Sequence, residues 1–245
     1  MIDIYSNPEL YDAIHESINS DKELIQHYAR QTNGPVLELA AGTGRLAKYI
    51  LDLNLEYTGI DNSEIFIQTA KNRFDNTANF IVGDMRDFNL KKIFDFIFIG
   101  FNSFLHNLKN KDASKCLKSV YKHLSDDGLF LISLFIPNPD FLYRGPSLHP
   151  ATGYFTYKNK KCRIMEKNKF NEDLQINTLK WYLEEDGIID NFEYIFYQKM
   201  YYPHMMDILL EENGLKIQQK IGDWDNSDMN EESVMQIYIC KKGLK

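Results

Sequence analysis

Between residues 35 and 135 the chain alternates short apolar runs with amphipathic stretches of about 10 to 15 residues, and this rhythm limits the fold more than any other feature. VLELA, EYTGID, NFIVGD, FDFIFIG and LFLISLF read as strands. TGRLAKYILDL, SEIFIQTAKNRF with Ser63 as its cap, and KDASKCLKSVYKHL stopped by Gly128 read as helices. Strands joined through helices lie parallel, and short runs that are apolar throughout fit strands covered on both faces. Two helices precede the first strand. One runs from Pro8 through ELYDAIHESI, and the other opens on a Ser20/Glu23 capping box and stops at Asn33-Gly34.

The rhythm changes after Pro137. Pro137, Pro139, Gly145, Pro146 and Pro150 give a loop composition, followed to about Gln198 by alternating Tyr- and Phe-rich stretches that read as antiparallel strands. A helix from Pro203 to Asn213, stopped by Gly214, and the strands LKIQQKIG and SVMQIYICKK close the chain. The expected division is 1–136 for the N-terminal helices and a Rossmann-like core, 137–200 for an antiparallel insertion serving as substrate wall, lid or homodimer contact, and 201–245 for the last helix and closing strands of the core.

A net charge of -7 argues against nucleic acid as a partner, since affinity for phosphate backbones comes from clustered Lys and Arg. The basic run from Lys158 to Lys169 alternates with Cys162, Ile164 and Met165 and reads as the solvated face of a strand. Three scattered cysteines without a CxxC pair suggest neither a disulfide framework nor zinc, and six histidines without HxxxH spacing offer no metal site. MIDIYSNPEL lacks the features of an export signal, and FIFIGF is far too short to span a membrane, so a cytoplasmic setting is expected.

Three acids stand at the carboxyl ends of the first three strands: Glu38, Asp61 and Asp84, spaced 23 residues apart each time. In a parallel sheet they share the edge where open α/β folds bind ligands. A lone strand-end acid is more often a cap or turn residue; three in register beside a glycine turn point to a site. Gly42 and Gly44 allow close backbone approach, Asp61 is placed to accept from both hydroxyls of a ribose, and Asp84 with the Met85 or Arg86 amide can read an adenine edge. The G-x-G-x-x-A pattern alone also fits a dinucleotide. Glu38 separates the two, because its carboxylate would repel a pyrophosphate and attract a ligand bearing an ammonium and a sulfonium. S-adenosylmethionine has both.

These stretches resemble the class I S-adenosylmethionine-dependent methyltransferases of small-molecule type. ELAAGTGRLA is similar to their first motif, GIDNS to the acidic second-strand motif, GDMRDF to the adenine motif, FDFIFIGFNSFLHNL to the fourth strand and its loop, and DDGLFLISLF to the fifth strand. The resemblance implies an α/β fold with a Rossmann-like, seven-stranded, mostly parallel sheet, its final strand antiparallel, and helices on both faces. It places Glu38, Ala40, Gly42, Gly44, Arg45, Asp61, Asn62, Asp84, Met85 and Phe101 at the cofactor, and the first helix with Tyr11 as a lid over it. The inserted antiparallel sheet is similar to that of the glycine and amino-sugar N-methyltransferase-like groups.

A sulfonium methyl is already activated, so such an enzyme mainly aligns a nucleophile and keeps water away. His106 and Asn102, in the loop after the fourth strand, are the candidates to bind or deprotonate an amine or hydroxyl acceptor, with Tyr11, Tyr201 and Tyr202 as pocket walls. The blander readings are a surface histidine, ordinary loop chemistry and structural tyrosines. Two alternatives stand beside this: an NAD(P)-dependent oxidoreductase, on the glycine pattern and Asp61, and a non-catalytic S-adenosylmethionine-binding protein using the aromatic insertion to contact a partner.

Overall fold

A computed structural model describes residues 4–191 and 193–243; Phe192, within one of the expected insertion strands, and the first three residues of MIDIYSNPEL lie outside the described residues. In chain order the elements are α1 (Pro8–His15), α2 (Ser20–Ala29), β1 (Val36–Leu39), α3 (Ala47–Leu51), β2 (Tyr57–Asp61), α4 (Glu64–Phe74), β3 (Asn79–Val82), β4 (Phe94–Ile99), α5 (Asn110–His123) and β5 (Leu124–Phe135). There follow α6 (Pro139–Leu142), β6 (His149–Pro150), β7 (Phe155–Tyr157), β8 (Lys160–Asn171), β9 (Ile176–Glu185), β10 (Ile188–Ile189) and β11 (Tyr194–Lys199). The chain closes with α7 (Pro203–Glu212), β12 (Leu215–Ile221) and β13 (Met235–Lys242).

The elements divide into two compact units, Ser20–Ile136 with Tyr201–Lys245, and Met1–Asn19 with Pro137–Met200. The first unit is built on a seven-stranded sheet of order β12-β13-β5-β4-β1-β2-β3. Pairs among β1 to β5 are parallel, and β13 runs antiparallel to both of its neighbours, as the resemblance implies. Alternate strand residues feed two apolar layers. Leu37, Leu39, Ile97 and Ile99 pack with Ala113, Leu117 and Val120 of α5 and Met206 and Leu210 of α7. Val36, Phe96 and Phe98 pack with Leu24 and Ile25 of α2, Ala47 and Ile50 of α3 and Ile67 of α4. Each fully buried side chain of this size contributes about 1.5–3 kcal/mol, so both layers favour one register.

Two boundaries differ from the sequence reading. α3 is shorter than TGRLAKYILDL because Gly42 and Gly44 both take left-handed conformations, leaving residues 43–46 as turns. β5 begins at Leu124, directly after α5, since Phe94 pairs with Leu124 and a register irregularity separates that pair from Phe96 and Leu129.

The second unit is an antiparallel sheet in which β8 and β9 form the central hairpin, β6 and β7 pair with β8, and β10 and β11 pair with β9. The expected division put residues 1–136 together, whereas residues 1–19 group with the insertion. The cause is packing: Ile4, Leu10 and Ile14 are buried against Tyr157, Cys162, Ile164, Leu183 and Tyr194. The basic run of β8 is paired across the sheet, Arg163 with Glu184 and Lys160 with Glu185. Among the described residues no helix is long and apolar enough to cross a membrane, and no group of three or more His, Cys, Asp and Glu is placed to hold a metal ion.

Candidate active site

β1, β2, β3 and β4 run parallel, so their carboxyl ends share one edge of the core sheet. Glu38 and Asp61 stand at that edge, and the turn after β1 winds between them. Ala40, Gly42 and Gly44 have φ of 57°, 57° and 81°. Such conformations are free for glycine, while Ala40 bears a cost of about 1–2 kcal/mol. The turn is held by Ala41 N–H donating to the Ile60 carbonyl at 2.9 Å and by Arg73 Nη1 donating to the Thr43 carbonyl at 3.2 Å.

Asp61 is fixed by backbone amides. Gly42 N–H donates to its Oδ2 at 2.8 Å and Ser63 N–H to its Oδ1 at 2.9 Å. Burial pushes this carboxyl up, and the amides of Ser63, Gly42 and Asn62 work the other way. Each oxygen keeps acceptor capacity beyond its amide bond, which suits a pair of vicinal hydroxyls.

Glu38 differs from its sequence reading. It is 4% exposed, and the Tyr57 hydroxyl donates to its Oε2 at 2.5 Å. Burial pushes its carboxyl up to about 8, outweighing the opposing effects of the Tyr57 hydrogen bond and the Arg45 charge. Desolvation thus favours the neutral acid over the standing carboxylate that the sequence suggested. Gly59 makes the Tyr57 bond sterically feasible. It pairs with Glu38 across the β1–β2 ladder, and a Cβ there would lie 2.9 Å from the Tyr57 hydroxyl oxygen and 2.8 Å from Ala41 Cβ.

Arg45, expected at the cofactor, grips Asp21 of α2 with two nitrogens, one at 3.0 Å. The Asp21 side chain is 1% exposed, and the guanidinium carbon sits 5.1 Å from the centre of the Phe101 ring. Arg45 thus ties α2, the glycine turn and the loop after β4 together. Asp84 is likewise engaged: its Oδ1 accepts from the Arg86 amide and Nε, both at 2.8 Å, and its Oδ2 from Nη2 at 2.5 Å. These bonds hold its carboxyl below the ordinary range. An adenine amine would have to share it with Arg86. Met85 packs against the core layer containing α5, its sulfur 3.5 Å from Asn107 Nδ2.

In the loop after β4, Phe101 and Asn102 are consecutive left-handed residues, φ 54° and 63°. β5 secures them. Phe101 N–H donates to Ser133 Oγ at 3.2 Å, and Asn102 Oδ1 accepts from Phe135 N–H at 2.7 Å. Asn102 was expected to meet the substrate through hydrogen bonds; its side-chain oxygen is committed to the Phe135 amide, so that role would fall to its side-chain nitrogen. His106 ends the short 3-10 turn Ser103–His106 and is half-buried. Tyr201 is fully buried with its hydroxyl donating to the Asn107 carbonyl at 2.5 Å, so it is structural rather than a pocket wall. Tyr11, on α1, belongs to the second unit, its ring 4.2 Å from that of His15.

Sequence reasoning missed Tyr57, Asp21, Ser133 and Arg73. A signal for Tyr57 existed in Gly59: where the pairing partner of a buried acid has no side chain, the residue two before it on the same face is the one that can reach across. As a set, the residues fit S-adenosylmethionine. Asp61 offers acceptors for ribose hydroxyls, Glu38 is an acid suited to a cationic group, and Arg45 beside the glycine turn is paired with Asp21.

Comparison with known proteins agrees. Residues 36–128 match the family described as methyltransferase domain. A protein of Staphylococcus carnosus (strain TM300) described as an uncharacterized methyltransferase is 32% identical over 112 residues, 45% of this chain and 51% of that protein, so the chain spans about half its length. Among solved structures, the CcbJ methyltransferase of Streptomyces caelestis superposes with a TM-score of 0.82 at 18% identity, covering 99% of both chains. The sugar N-methyltransferase KedS8 of Streptoalloteichus superposes with a TM-score of 0.76 at 13% identity, covering 100% of this chain and 94% of that one. At such identities these two likenesses concern the fold.

Proposed function

We propose that this chain, whose core is a class I S-adenosylmethionine-dependent methyltransferase domain, transfers the cofactor's methyl group to an amine or hydroxyl of a small molecule. The observation that carries the proposal is Asp61, a desolvated carboxylate fixed by the Gly42 and Ser63 amides beside the buried acid Glu38. The small-molecule acceptor is supported by the likeness to a sugar N-methyltransferase over nearly the whole of both chains.

When bound, the cofactor supplies a methyl group already activated by its sulfonium, so the protein's part is alignment and exclusion of water. Asp61 and the glycine turn would hold the nucleoside, and Glu38 the cationic end. Asn102 and Ser133 fix the loop after β4. His106 in that loop is the candidate to orient the acceptor or take its proton.

Calorimetry of S-adenosylmethionine, S-adenosylhomocysteine and NADH against the wild type and Asp61→Ala tests the cofactor. Micromolar binding of the first two, lost in the variant and absent for NADH, is expected; binding of NADH alone would make the protein an oxidoreductase. Methyl transfer to a panel of amines and hydroxyl compounds, amino sugars included, tests the acceptor. His106→Gln should reduce turnover at least tenfold with cofactor affinity little changed, and an equal loss of both would remove His106 from its role. Cofactor binding without transfer to any acceptor would leave a binding protein.

A further inference from the structure

A completely buried amide stands on β13 where the pattern of the strand calls for an apolar side chain. Gln236, Tyr238 and Cys240 alternate along one face, and Tyr238 and Cys240 pack into the apolar layer with α5 and α7. Gln236 Nε2 donates to two main-chain carbonyls, that of Phe135 at 3.2 Å and that of Tyr201 at 2.6 Å. Its Oε1 lies 3.1 Å from the Tyr238 hydroxyl, which shares its hydrogen with the Pro203 carbonyl at 3.2 Å. Turning the amide over would set its oxygen against both the Phe135 and Tyr201 carbonyls, so its orientation is fixed.

These two carbonyls belong to residues that hold opposite ends of the loop after β4. At the near end Asn102 Oδ1 accepts from Phe135 N–H at 2.7 Å, and Asn102 N–H donates to the Ser133 carbonyl at 3.3 Å. At the far end the Tyr201 hydroxyl donates to the Asn107 carbonyl at 2.5 Å, and the Tyr201 ring meets that of Phe104, centroids 5.3 Å apart. Asn107, itself buried, closes the turn by donating from Nδ2 to the Phe104 carbonyl at 3.0 Å. His106 stands between the two tethers, next to Asn107. By gripping Phe135 and Tyr201 together, Gln236 sets the span of the loop that carries it.

A buried, hydrogen-bonded amide adds little net stability over an apolar side chain of its shape, but once fully satisfied it selects one arrangement of its neighbours. The nucleoside end is held by other bonds, Asp61 by the Gly42 and Ser63 amides and Glu38 by Tyr57. Asn107 reaches towards it only through the Met85 sulfur, at 3.5 Å a weak bond. We propose that Gln236 is a positioning residue for methyl transfer, acting through Phe135 and Tyr201 to hold residues 101–107, His106 included, in the geometry that meets the acceptor. That role rests on the function proposed above, in which this loop faces the acceptor. Misplacing a reacting group by about 1 Å can lower a rate about a hundredfold, so the effect falls on turnover.

The test uses Gln236→Met, which keeps the length of the side chain without its donors, and Tyr201→Phe, which keeps the ring without the bond to Asn107. Each full-length variant is read by its His106 ring resonances and by methyl transfer over the panel of amines and hydroxyl compounds. Both should move the resonances and lower kcat about tenfold or more, with cofactor Kd held within about threefold. Because the two bonds act in series, the double variant should lose no more turnover than the worse single one. Where Gln236→Met does not fold, Tyr238→Phe, which frees Gln236 Oε1, takes its place with the same expected signs. Unmoved His106 resonances in the folded variants would overturn the inference whatever the chain's function. Unchanged kcat per folded protein, or single losses that multiply in the double variant, would do so too. If the resonances move but the wild type methylates nothing on the panel, it is the proposed function that fails, and the catalytic role of Gln236 fails with it.

Discussion

Glu38 couples cofactor binding to a proton. With its carboxyl pushed up to about 8, the free protein at pH 6.5 carries this acid almost wholly protonated. A sulfonium or ammonium docked beside it would favour the carboxylate, so binding should release about one proton, at a cost of about 2 kcal/mol relative to pH 9. The charged and titratable groups around it are Tyr57, Arg45, Asp21 and Asp61; Arg45 acts with the incoming cation, and the two aspartates act against ionisation. Affinity should therefore rise about tenfold per pH unit from pH 6 towards 8 and level off above. Calorimetry at pH 6.5 in phosphate and in imidazole, whose ionisation heats differ, counts the proton directly. Glu38→Gln keeps the neutral shape and a partner for Tyr57 but cannot ionise, so its affinity should be flat over the same range. S-adenosylhomocysteine retains the ammonium and lacks the sulfonium, so it identifies which charge is sensed. Tight wild-type binding with heat independent of buffer, or a pH dependence that survives in Glu38→Gln, would refute the coupling.

Asp21→Ala should cost about 3 kcal/mol in urea unfolding, the low end for breaking a buried ion pair, because Arg45 keeps 21% of its side chain in solvent. In Gly59→Ala the added methyl meets Tyr57 and Ala41, which should lower stability by about 1–3 kcal/mol and move the pH dependence of cofactor binding upwards as Glu38 loses its hydrogen bond. Cys116, Cys162 and Cys240 are all buried, and burial pushes their thiols up. A thiol reagent should therefore modify none of the three until the protein unfolds; rapid labelling of the native protein would contradict the packing.

The core was legible in the sequence because its signals are local. The alternation of apolar runs with amphipathic stretches locates β1 to β5, and regular spacing of Glu38, Asp61 and Asp84 marks the binding edge. Pairings across the sheet left no such trace. Nothing in the spacing of Asp21 and Arg45 marks them as partners, since they meet only when α2 packs beside the glycine turn. Protonation of Glu38 depends on desolvation, which no linear pattern encodes. The bond from Phe135 N–H to Asn102 Oδ1, which ties two left-handed residues to β5, could be found only by knowing the backbone. The grouping of α1 with the insertion depends on contacts between segments more than a hundred residues apart.

The slot occupied by β13 bears on how the protein is made. It lies between β12 and β5, strands that precede it in the chain, so during synthesis the core sheet stands open along β5 until residues 235–242 have left the ribosome. A nascent chain stalled before that point would present the Phe130–Phe135 half of β5, largely apolar, as an unpaired edge. Truncation ahead of Met235 should therefore yield aggregation or degradation in the cell, even though every group at the cofactor edge has already been made.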